Sequence, residues 1–253
     1  WRRWKDDEGG GRRSTRTPLS HPIQQIHKSF LTPSAWKKAT KFVFLRRIII
    51  HTKKRPFIIA MAKVPALTTD DILKLKAITL YIVNKCGIID IFHILKILYF
   101  ADRAHYAQWG TRLSRDTFCA MENGPVASHL YNALKDVTGK EALPAGSPLK
   151  TISEALTQAD PMFEYYVKAC QEADMDELSA SDIACLDKSI AENKEQVFGP
   201  LSQKSHDKAW QEAYNKKKNS AMNPFLMAEA GGASEDMLEF IKENAEFDQL
   251  CAN

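Results

Sequence analysis

Asp102, His105, His129 and His206 are the side chains here from which acid–base or metal chemistry could be built. A carboxylate and an imidazole three residues apart, like Asp102 and His105, share one face of a helix and can touch. A metal site needs three or four converging ligands with a supporting shell, and the sequence offers no HExxH or paired-cysteine spacing. Cys119 follows Phe118 with no adjacent base to activate it, so it reads as a small core residue and not a nucleophile. No P-loop, GxGxxG or GxSxG run occurs. The expectation is a protein with no catalytic, cofactor-binding or metal-binding residues, hence not an enzyme.

The elements that hold these residues can be read from caps and periodicity. Thr68-Thr69-Asp70-Asp71 starts a first helix whose Ile72, Leu75, Ile78, Thr79, Ile82 and Cys86 recur at helical spacing until Gly87. Asp90 caps a second helix over 91–107, apolar around nearly its whole circumference and therefore central and buried. Asp102 and His105 fall on the face of Ile91, Leu95 and Leu98, away from Lys96 and Arg103. A buried carboxylate must be paired or hydrogen-bonded. The expected partners of Asp102 are the backbone N–H groups near Gly124–Val126, with His206 and Trp210 packed around that junction. Gly124 is placed at the N-cap and Pro125 at the first position of a third helix ending near Gly139. Val126, Leu130, Ala133, Leu134 and Val137 form its core face, with His129 at the edge.

Residues 139–161 read as a loop, with a weak extended segment at Leu149–Ile152. Phe163–Ala169 reads as a short strand or hairpin. Ser179-Ala180-Ser181-Asp182 resembles a capping box opening a long helix with Ile183, Leu186, Ile190 and Val197, broken by Gly199-Pro200. The next helix carries His206 and Trp210 one turn apart on one face. Asn223-Pro224 opens a short helix stopped by Gly231-Gly232, and Ser234 starts the last, with Met237, Leu238, Ile241 and Phe247 apolar. The fold class is mainly α: a compact helical domain with a small β-hairpin insertion.

Charge is divided unevenly along the chain. Residues 1–60 hold fifteen Lys+Arg against three Asp+Glu, and the remainder holds twenty against twenty-eight, so a basic segment at +12 precedes a body at −8. The acidic body argues against a nucleic-acid binder, which needs a basic face for phosphates. Residues 1–20 lack apolar periodicity and are expected to be disordered. No run in 42–60 reaches the length needed to span a bilayer. Three readings of 1–60 compete: upstream sequence ahead of a start at Met61, a basic arm for nucleic acid or anionic membrane, and an acid-poor targeting presequence. The five cysteines are widely spaced and odd in number, which suits reduced thiols in a cytoplasmic protein.

Taken in order, LKILYFADRAHYAQWG, GPVASHLYNALK, LSASDIACLDKSI and LSQKSHDKAW resemble the Panacea (SocA-like) antitoxin domain over 89–210. The resemblance implies a mostly helical domain without cofactor or catalysis, acting as the antitoxin of a toxin–antitoxin pair. Its partner would be a cognate protein toxin encoded by an adjacent gene, and an adaptor role toward an ATP-dependent protease is a second route. No toxin-contacting residue carries over. The shared pattern rests on Leu98, Tyr99, Asp102, His105, Gly110, Gly124, Pro125, Val126, Tyr131, His206 and Trp210, read as structural. The domain is expected over 61–221, with 222–253 as a helical tail packed on it and 1–60 as the basic extension. Two other classes compete: a DNA-binding regulator using the basic arm, and an orphan hydrolase using the buried Asp and His residues.

Overall fold

Helix α1 (Thr69–Cys86) opens on a reciprocal cap in the computed structural model, which describes residues 66–160 and 162–251. Thr68 Oγ1 accepts from the Asp71 N–H at 3.1 Å, and Asp71 Oδ2 accepts from the Thr68 N–H at 3.0 Å. Gly87, at φ +78°, ends the helix. Residues 1–60, with the three readings proposed for them, lie outside the described residues.

A two-residue strand β1 (Ile89–Asp90) leads into α2 (Ile91–Trp109), whose first turn is capped by Asp90 through the His93 N–H. Ile94, Ile97, Leu98 and Tyr99 are fully buried, so α2 runs through the centre of the domain. Gly110 closes it in the left-handed region, and a Cβ there would come within 2.7 Å of the Phe240 ring and 3.1 Å of the Met237 sulfur.

Strands β2 (Phe118–Met121) and β3 (Gly124–Ala127) form a hairpin with Met121 opposite Gly124, and α3 begins only at Ser128 and ends at Val137. The sequence places a helix start at Gly124-Pro125, and this is corrected. Gly124 sits at φ +100°, and the pre-proline position disfavours the α region. The cap of α3 comes instead from Asp116, whose two oxygens accept from the His129 and Leu130 N–H groups.

The 149–158 stretch also differs from the extended segment expected at Leu149–Ile152. Lys150–Ser153 is one helical turn, α4, and the extended segment follows it as β4 (Leu156–Gln158). β5 (Tyr166–Ala169) falls where a strand is expected and sits between β1 and β4 in an antiparallel sheet, with Ile89 opposite Val167 and Leu156 opposite Ala169.

After a 3₁₀ turn (Met175–Glu177), α5 (Ala180–Asn193) starts at the expected Ser179/Asp182 capping box and packs along α2. It stops before Val197. Gly199-Pro200 does not break it but lies in the first turn of α6 (Phe198–Ser205), where a missing N–H costs nothing. His206 is therefore the C-cap of α6, and Trp210 belongs to α7 (Lys208–Lys216), which Asp207 caps. Asn223 caps α8 (Pro224–Ala230), as the Asn-Pro pair requires. α8 and α9 (Glu235–Cys251) both pack on α2, with Ile241 buried.

Candidate binding cleft and the charged residues of helix α2

At its C-terminal end α2 contributes a carboxylate with every edge occupied. Asp102, fully buried, accepts from Arg112 Nε at 2.5 Å and Nη2 at 2.8 Å, from the N–H groups of Leu113 and Ser114, and from Ser114 Oγ at 2.6 Å. The burial expected from the helical wheel holds, and the partners differ: they lie in 112–114, not 124–126. Asp102 and His105 do not pair with each other. The His105 ring nitrogens reach the Thr111 carbonyl at 2.9 Å and, on the other side, Ser181 Oγ and Asp182 Oδ1 at 3.2 Å.

Two further buried carboxylates behave the same way. Asp182 holds Lys74 Nζ at 2.9 Å and its own capping box. Asp116 holds the α3 cap together with His129 Nδ1 at 2.7 Å, a bond that raises the His129 pKa despite partial burial. Among the described residues no group of three or more His, Cys, Asp or Glu side chains converges as metal ligands would. A carboxylate saturated by guanidinium and backbone N–H donors has no lone pair left to abstract a substrate proton.

The other end of α2 differs. Lys96, assigned by sequence to the polar side, is only 1% exposed. Its Nζ donates to the Pro125 carbonyl at 2.9 Å and lies 5.0 Å from the centre of the Phe92 ring. No carboxylate among the described residues forms an ion pair with it, and burial lowers its pKa to about 7. Gly124 is required here: a Cβ would strike Ser205 Oγ and come within 2.8 Å of Lys96 Nζ. Nearby, the rings of His206 and Trp210 stack at 3.7 Å and those of Trp210 and Tyr214 at 4.5 Å. Trp210 Nε1 donates to the Met121 carbonyl, so α7 is anchored to the β2–β3 hairpin. His206 does pack at the hairpin junction; its buried Nε2 has no hydrogen-bond partner among the described residues, and burial with Lys96 nearby lowers its pKa.

Lys96 is among the residues lining a cleft of about 960 Å³. Its walls are β1 with the first turn of α2, the β2–β3 turn, Tyr131 of α3, Tyr165 and Tyr166, and the 194–198 segment. Ile88, Tyr165, Val197 and Phe198 are large apolar side chains more than half exposed around it. His93 ties two walls together: Nδ1 meets Asp90 Oδ2 at 2.5 Å and Nε2 meets the Gln196 carbonyl at 2.7 Å. The Asp90 bond is the main cause of its raised pKa. Satisfying both acceptors takes the doubly protonated ring.

Residues 94–211 match the family model of the antitoxin SocA-like, Panacea domain.

The match runs from the first turn of α2 to the middle of α7, just under half of the chain, and so contains both ends of the polar architecture described above. No curated protein and no solved structure matches the chain. Within the matched stretch the pattern residues fall into two groups. Asp102, His105 and Gly110 secure the C-terminal end of α2 and the loop after it. Tyr99 donates to Asp207 Oδ2 at 2.6 Å, which Arg103 also holds, and with Gly124, Pro125, His206 and Trp210 it fixes the α6–α7 junction against the hairpin. Leu98 and Val126 are buried, and Tyr131 lines the cleft.

Sequence reasoning missed three charged residues. Arg112 and Asp116 have partners ten and more positions away, beyond the reach of a helical-spacing rule. For Lys96 a signal did exist: on a helix apolar all round, the one lysine among its neighbours has no polar face to occupy.

Proposed function

We propose that this chain is an antitoxin that neutralises a cognate protein toxin by direct binding, and that it is not an enzyme. The observation that carries this reading is the match of residues 94–211 to the SocA-like Panacea domain. The site geometry is in keeping with it. The buried carboxylates are occupied in holding the fold, while the open feature is an apolar-rimmed cleft suited to a protein surface. The toxin is encoded by an adjacent gene and met in the cytoplasm. No helix among the described residues is long and apolar enough to cross a membrane. Delivery of the bound toxin to an ATP-dependent protease is a further step open to the same complex.

Co-expression tests the proposal. Inducing the adjacent small gene alone should arrest growth, and adding this chain should restore it. Growth arrest that persists beside well-expressed, folded chain refutes the reading. Salt-sensitive DNA binding by residues 61–253 would point to the regulator class, and none is expected.

A further inference from the structure

The strap that joins α5 to α6, residues 194–200, is exposed throughout, between anchors at Asn193 and Leu201 that are fully buried. Little apolar contact holds it: Val197 is 68% exposed, and Phe198, half exposed itself, lies on the Phe92 ring at 4.4 Å. Among the described residues, 194–197 is hydrogen-bonded to a separate element through His93 alone. The ring meets the Gln196 carbonyl at 2.7 Å through Nε2 and Asp90 Oδ2 at 2.5 Å through Nδ1. Both partners are oxygen acceptors. A neutral imidazole has one N–H and one lone pair, so it can hold one of these oxygens and must face the other with the lone pair. The charges facing the ring are Asp90 from β1 and Glu195 from the strap, and both raise its pKa, Asp90 by the larger part. Lys194 sits beside Glu195, and the Cys86 thiol at the end of α1 feels both. Lys96, one turn along α2, turns its ammonium to the Pro125 carbonyl, while Glu122, Tyr165 and Tyr166 line the same cleft as His93.

We propose that His93 is a proton-operated latch: its imidazolium pins the strap to the first turn of α2, and loss of the ring proton to solvent releases it. The Asp90 carboxylate is the stronger acceptor, so it keeps the N–H that remains, and the lone pair then faces the Gln196 carbonyl. An attraction becomes a repulsion, and the half-exposed Phe92–Phe198 contact is left to hold the strap. Residues 194–198 form one wall of the cleft, so release frees that wall. The sign follows from the raised pKa. The strap is pinned below the folded-state value, which lies above 6.5, and is freed as pH rises through it. The device depends on no particular occupant of the cleft. Asp90 and His93 precede the matched stretch 94–211, so the latch stands apart from the family pattern.

Nuclear magnetic resonance on the full chain tests the latch. The His93 ring nitrogens give its titration midpoint, and hydrogen exchange of the 194–198 amides, corrected for its intrinsic pH dependence, reports the strap. Across that midpoint the strap amides should lose protection by about fivefold or more, while those of buried α2 should not. Asp90→Asn keeps a good N-cap on α2 and removes the charge. It should lower the ring midpoint and carry the strap midpoint down with it. His93→Gln should abolish the pH dependence of the strap. Strap protection that stays flat across the wild-type ring midpoint overturns the proposal. So does a strap midpoint that stays put when Asp90→Asn moves that of the ring, or a wild-type pH dependence that survives in His93→Gln. Unfolding midpoints verify both variants, and the wild-type titration decides alone if either folds poorly.

Discussion

Asp102 and Lys96 lie on one helix, both buried, and their surroundings treat charge in opposite ways. Asp102 accepts five hydrogen bonds from residues 112–114, two of them from a guanidinium in a fork. Lys96 makes one among the described residues, to a backbone carbonyl. The first arrangement is closed: its donors come from a local loop and from the chain itself, and nothing is left to offer a ligand. The second is incomplete among the described residues, and Lys96 is also among the residues lining a cleft rimmed by exposed apolar side chains. A buried charge that is completed internally supports the fold. One left incomplete lowers stability.

Substitutions at the two ends should break or sharpen this contrast. The largest effect belongs to Asp102→Ala, which strands the Arg112 guanidinium and two buried N–H groups; urea unfolding should show a loss of roughly 3–5 kcal/mol. Asp116→Ala removes the cap of α3 together with the His129 bond, and about 2 kcal/mol should go with it by the same measurement.

Lys96→Met should move the other way, raising stability by on the order of 2 kcal/mol near neutral pH. The sign follows from linkage. The folded-state pKa, about 7, lies below the ordinary 10.5, so between those values the unfolded chain binds more protons. Wild-type stability should therefore rise as pH climbs through that window, and Lys96→Met should flatten the rise. A variant that is destabilised, or that keeps the slope, would show that Lys96 is compensated after all.

The smallest effect is at His93. Its folded pKa is raised above the ordinary 6.5, so its contribution is complete below that value and is lost as pH rises through the folded one. His93→Gln should remove this pH-dependent part, about 0.5–1 kcal/mol, as read from unfolding midpoints across pH.

How much of this the sequence discloses depends on how local the physics is. The caps at Thr68, Asp90, Ser179 and Asn223 lie within three residues of the N–H groups they serve, and each is readable and correctly placed. The start of α3 is not, because Asp116 reaches it from thirteen and fourteen residues away. With that cap hidden, Gly124-Pro125 resembles a helix entry, whereas Gly124 takes φ +100° and pairs with Met121 across a hairpin. The burial of Asp102 is legible from the wheel, and its partner is not, since Arg112 follows the end of the helix. The same wheel assigns Lys96 to a polar side that α2 does not possess. The cleft itself joins residues from five separate stretches, and no spacing rule reveals it.

The central claim is that the chain acts by binding, and purified components test it most directly. The adjacent gene's product should form a stable complex with the full chain and lose its toxic activity in vitro with no protease present. A folded chain that neither binds that product nor inhibits it contradicts the account.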